Sequence, residues 1–86
     1  MFVINEKYSF EKLNNDLIAI NGENEKFIIL GEIEQEILKL IITMTEEEVV
    51  NTLAQAYNDN GMIGNDVHEF VESLINEEIL LKIEND

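Results

Sequence analysis

"LIAINGENEKFIILG", residues 17–31, decides the fold, and it reads as two strands around a turn. Asn21-Gly22 is the turn signal, because both residues tolerate positive φ. On the second strand, Lys26 to Leu30, Phe27 and Ile29 face one way and Ile28 and Leu30 the other. Both faces are apolar. The first strand repeats the doubling, with Leu17 and Ala19 against Ile18 and Ile20. One face can pack on helices. Phe2, Val3 and Ile4 at the N-terminus are the candidates to cover the other.

Outward from this hairpin, residues 1–31 have strand character. Met1 to Ile4 and Tyr8 to Leu13 are expected as further short strands. From Ile33 the period changes to helical, with Ile33, Ile37, Leu40 and Ile41 on one stripe and Leu38 and Ile42 widening it. Thr45-Glu46-Glu47-Glu48 then reads as a capping box opening a second helix. Three acids in a first turn also suit the positive end of the helix dipole. Val49, Val50, Leu53, Ala54 and Tyr57 form its apolar face. "NDNGMIGND", 58–66, reads as a loop in which Asn65 or Asp66 caps a third helix. The stripe of that helix is Val67, Phe70, Val71, Leu74 and Ile75. Ile79 to Ile83 fits a last helical turn or a short strand. The fold class is therefore α+β, a small three-stranded antiparallel sheet followed by three helices.

The chain has 86 residues, which makes one domain over 1–86. Apolar residues are 45% of it, enough for a modest core. Nineteen acidic residues stand against five basic ones, for a formal charge of −14. Such a chain is repelled by DNA, RNA and anionic membranes. A neutral or basic partner is favoured, with an attraction that weakens in salt. Cysteine does not occur, so neither a disulfide framework nor a thiolate metal site is open to it. The start lacks the basic segment and apolar run of a signal peptide, and the longest apolar runs are far shorter than a membrane span. A soluble cytoplasmic protein is the expectation.

Catalytic chemistry finds few parts. His68 is the one histidine, set beside the stripe of the third helix, and Ser9 and Ser73 are the only serines. The 56–69 region offers glycines amid acids, but neither register of a calcium loop works. One puts Ala56 at the first ligand position; the other puts Gly61 and Ile63 at the third and fifth. Glu72-Ser73-Leu74 resembles the prosthetic-group serine of acyl carrier proteins, yet it lies deep in the last helix, and the hairpin has no place in that fold. No enzyme, metal or cofactor is implied.

Surface for binding remains. With the strands in sequence order, Lys26–Leu30 has a free rim of amide and carbonyl groups. Proteins usually blunt such an edge with charge, proline or a bulge; here Lys26 is the sole charge in the strand. An open edge beside an apolar helix suits capture of an extended peptide by strand addition. A proline at Ile28 tests whether that residue's amide faces the rim. The rim can also pair with its own copy in a homodimer.

Three blocks in register, "LIAINGENEKFIILGEIEQEILKLI", "TEEEVVNTLAQAY" and "NDVHEFVESLINEEILL", are similar to the precursor-peptide recognition elements of ribosomally made, post-translationally modified peptide pathways. These include the pyrroloquinoline quinone peptide chaperones and the leader-binding proteins of lasso-peptide clusters. The resemblance spans roughly residues 8 to 83. The family often has Asp-Gly between the first two helices where this chain has Ile42-Thr43-Met44, and Gly-Leu ending the last helix where it has Glu78-Ile79. The resemblance implies a winged helix-turn-helix-like fold without DNA binding. It implies a leader peptide added along Lys26, Phe27, Ile28, Ile29 and Leu30, against Val67, Phe70, Val71 and Leu74 of the third helix. It also implies presentation of the peptide to a separate modifying enzyme or leader peptidase. The competing expectation is an acidic adaptor, or a transcription-associated winged-helix module, that docks a folded partner.

Overall fold

A computed structural model describes residues 1–57 and 62–83. Strands β1 (Phe2–Ile4), β2 (Tyr8–Leu13), β3 (Asp16–Asn21) and β4 (Phe27–Leu30) precede helices α1 (Glu32–Ile41), α2 (Glu46–Tyr57) and α3 (Ile63–Asn76). A short β5 (Leu80–Lys82) follows. β2, β3 and β4 form an antiparallel sheet in that order. β1 pairs with β5 in a second, two-stranded sheet. The expected covering of the hairpin's second face by Phe2, Val3 and Ile4 is not seen: Phe2 and Ile4 pack against the core, and Phe27 and Ile29 on the outer face stay 65% and 54% exposed. The Asn5 N–H donates to the Ile79 carbonyl at 2.8 Å, and its buried side-chain amide donates to the Glu78 carbonyl at 2.9 Å. Both bonds hold the N-terminal segment to the end of α3.

The two hairpins are built differently. Asn14-Asn15 joins β2 to β3, with Asn14 at φ 57. Between β3 and β4 the left-handed residue is Glu25 at φ 60, whereas Asn21 and Gly22 were expected to take it. Asn21 instead ends β3. Its buried side-chain oxygen accepts from the Glu23 N–H at 2.9 Å, and its N–H donates to the Lys26 carbonyl at 2.9 Å.

The inner sheet face and the three helices enclose one core. It contains Tyr8, Ala19 and Leu30 from the sheet, Ile37, Leu38 and Ile41 from α1, and Val49 and Leu53 from α2. Val67, Val71 and Leu74 from α3, with Ile79 and Leu80, complete it. Ile33, expected on the α1 stripe, is 51% exposed because it sits in the first turn, where the helix has only just left the sheet. The box at α2 forms as expected. The Glu48 N–H donates to Thr45 Oγ1 at 3.2 Å, and the Thr45 N–H donates to Glu48 Oε1 at 3.1 Å. α3 begins earlier than expected, at Ile63, after Met62 and without a side-chain cap. Asn65 and Asp66 are thus inside its first turn, where Asp66 faces the helix dipole rather than capping it. The rest of the expected loop, 58–61, lies outside the described residues.

α3 ends in a left-handed cap. The Ile79 N–H donates to the Leu74 carbonyl and the Glu78 N–H to the Ile75 carbonyl, with Glu78 at φ 61. A side chain in this conformation costs on the order of 1 kcal/mol. Ile79 and Leu74, on the two sides of this turn, are both buried in the core, the apolar pairing that commonly accompanies such a cap.

The Thr45 bonds hold the Glu48 carboxyl below its ordinary value of 4.5. Because the folded value is the lower one, this cap stabilises the fold above pH 4.5 and the contribution drains away as pH falls through the lowered value. Thr45→Ala removes the cap and is expected to cost about 1 kcal/mol near neutrality. Urea unfolding at neutral and acid pH checks it: the share carried by the Thr45 Oγ1–Glu48 Oε1 bond is lost as Glu48 protonates, while the share carried by the Glu48 N–H to Thr45 Oγ1 bond remains.

Candidate peptide-binding edge

β4 pairs with β3 on one side, and no strand is hydrogen-bonded to its other side among the described residues. Antiparallel pairs alternate between hydrogen-bonded and non-bonded positions. The bond between Asn21 and Lys26 makes that pair a bonded one. Counting along the register, Ala19↔Ile28 and Leu17↔Leu30 are bonded, while Ile20↔Phe27 and Ile18↔Ile29 are not. The N–H and C=O groups of Ile28 therefore point at β3. Those of Phe27 and Ile29 point at the open rim. β2 gives an independent check: the Gly22 N–H donates to the Lys7 carbonyl, which fixes the opposite parity for the other side of β3.

Each residue expected in the site can now be placed. Lys26 flanks β4 rather than belonging to it. Ile28 is half-buried and Leu30 fully buried, both on the inner face. Phe27 and Ile29 are 65% and 54% exposed on the outer face. Phe70 is half-buried, packed against the margin of the core. Val67, Val71 and Leu74 are only 0%, 1% and 1% exposed. All three are core residues in this structure. A groove wall and a core face share one helical stripe, and depth along that stripe is set by how α3 docks.

An ion pair joins the residue before β4 to the residue after α3. Lys26 Nζ lies 3.7 Å from Glu77 Oε2, just past the end of α3. Two turns back, Phe70 stands on the same line of the helix as Glu77. Glu77 is held in place by its backbone, whose carbonyl accepts from the Tyr8 hydroxyl at 2.7 Å. Nothing in the sequence reading singled out Glu77. Its signal was its place seven residues after Phe70.

The remaining polar groups lie elsewhere. His68 is exposed beside the α3 stripe, as expected, and its Nδ1 is 3.2 Å from Glu46 Oε2. The Tyr57 hydroxyl donates to Glu36 Oε2 at 2.9 Å, which raises its pKa above 10.0. No described helix is long and apolar enough to cross a membrane.

No curated protein matched the chain. Among solved structures, it is similar to TbiB1, determined in complex with the TbiA(beta) leader peptide, at 18% identity and a TM-score of 0.77. The match covers 95% of this chain and 98% of that one, so the two share a fold. The sequence pattern described as "Coenzyme PQQ synthesis protein D (PqqD)" matches residues 16–80, from the start of β3 to the start of β5. With more than half its length covered by that pattern, and the α+β fold expected of it in place, this chain belongs to the PqqD family.

Proposed function

We propose that this chain is a non-catalytic module that binds the leader region of a ribosomally made precursor peptide and presents it to a separate modifying enzyme or leader peptidase. The observation that carries the reading is the open rim of β4. Phe27 and Ile29 offer their amides and carbonyls to a foreign backbone there. The structurally similar TbiB1 was solved holding a leader peptide, which supports the same use of this fold. Inward-facing side chains of the bound strand meet Phe70 and the Lys26–Glu77 pair. The high negative charge recruits a leader that bears lysine or arginine and acts mainly on the rate of association.

The test is amide hydrogen exchange with a peptide selected for binding from a randomised display library. The Phe27 and Ile29 amides exchange freely in the lone protein and become protected when the peptide is added. The affinity weakens as salt rises. Protection that appears elsewhere while these two amides still exchange rejects the site.

A further inference from the structure

The sheet's outer face carries a second part of the recognition surface. Two rows of side chains cross it: Ser9–Ile20–Phe27 and Glu11–Ile18–Ile29. Each row rises from a polar residue on β2 through a half-buried isoleucine on β3 to a large, exposed apolar side chain on β4. The rows thus become more apolar toward the open rim, where a water-facing sheet face normally becomes more polar. Both rows end at residues whose backbone groups face that rim. A strand added there extends each row by one side chain, placed beside Phe27 and Ile29 at ordinary cross-strand distance.

The charges at the two ends of β4 complete the pattern. Exposed Glu23 and Glu25 lie in the turn before it, and exposed Glu32 lies just after it. The nearby lysines are already engaged, Lys7 with Glu23 at 3.2 Å and Lys26 with Glu77 at 3.7 Å.

Resting on the rim as the peptide site, we infer that the ligand is an extended peptide with two apolar side chains, at positions i and i+2, seated on Phe27 and Ile29, and with lysine or arginine outside that pair. The outer pair sets specificity, while the rim supplies the backbone bonds. The apolar end of the sheet is left uncovered until the peptide arrives.

The experiment selects short randomised peptides by display on the wild-type protein and measures each on two variants. Phe27→Thr/Ile29→Thr keeps strand-forming residues at exposed positions and leaves the rim amides in place. Ile29→Pro removes a rim amide. Selected peptides should carry the apolar i, i+2 pair with basic flanks. They should bind the double-threonine variant about tenfold more weakly. Serine at the peptide's pair should erase that difference. Peptides that lose binding to Ile29→Pro but hold the double-threonine variant as tightly as wild type overturn this inference and leave the rim reading standing. Failure to select any peptide, or equal binding to Ile29→Pro, overturns both. A wild-type protein that sediments as a dimer, and becomes monomeric with Phe27→Thr/Ile29→Thr, makes the face a seam between copies and also overturns the inference.

Discussion

Ile29→Pro folds like the wild type and loses peptide binding by at least about tenfold. The register makes this outcome specific. The Ile29 amide is not used by β3, so proline removes no bond of the folded chain. The side chain is 54% exposed on an edge strand, a place where proline is tolerated. What is lost is a donor to the incoming backbone, and the ring also obstructs its approach. Ile28→Pro is the contrast. Its amide bonds Ala19 and its side chain is half-buried, so that change attacks the β3–β4 ladder itself. Melting curves and peptide titrations of the two variants separate the cases. Equal affinity for wild type and Ile29→Pro would mean the peptide binds somewhere other than this edge.

Leu74→Ala gives the largest expected loss of stability, about 2–5 kcal/mol. Leu74 is buried in α3, and its carbonyl anchors the left-handed cap that turns the chain toward β5. The loss is a large fraction of the ~5–15 kcal/mol typical of a domain. It should appear as a lower urea midpoint with an unchanged slope. Under native conditions the folded fraction should still bind peptide with wild-type affinity, because Leu74 is buried in the core. Weak binding with an unchanged midpoint would instead move Leu74 into the groove. Phe70→Ala should show the reverse balance, since Phe70 is only half-buried and shares a helix line with Glu77.

Much of the fold was legible as pattern. The change of period at Ile33, the capping box at Thr45 and the apolar doubling of residues 17–30 place the hairpins and helices, because local hydrogen bonding and side-chain spacing depend on neighbours in the chain. The sequence misleads where a local signal has rivals. Asn21-Gly22 reads as the left-handed turn, but Asn21 stays in the strand with its buried side chain bonded to the Glu23 amide, and Glu25 takes the left-handed conformation. Asn65 and Asp66 looked like caps, yet α3 extends back to Ile63.

From the residues alone came a strand that is apolar on both faces and a formal charge of −14. Those are properties of composition and alternation, and they need no partner in space. Three matters waited on the fold. The N-terminal strand could have covered the outer face of the hairpin, but it pairs with β5 and turns Phe2 and Ile4 to the core instead. Parity could have aimed Ile28 at the rim, but the Asn21–Lys26 bond aimed Phe27 and Ile29 there instead. Val67, Val71 and Leu74 stand on a stripe that reads equally as core or groove wall, and how deeply they are buried was set by the docking of α3. Each depends on which long-range contacts form, and a stripe or an alternation reads the same whichever side of it another element comes to cover.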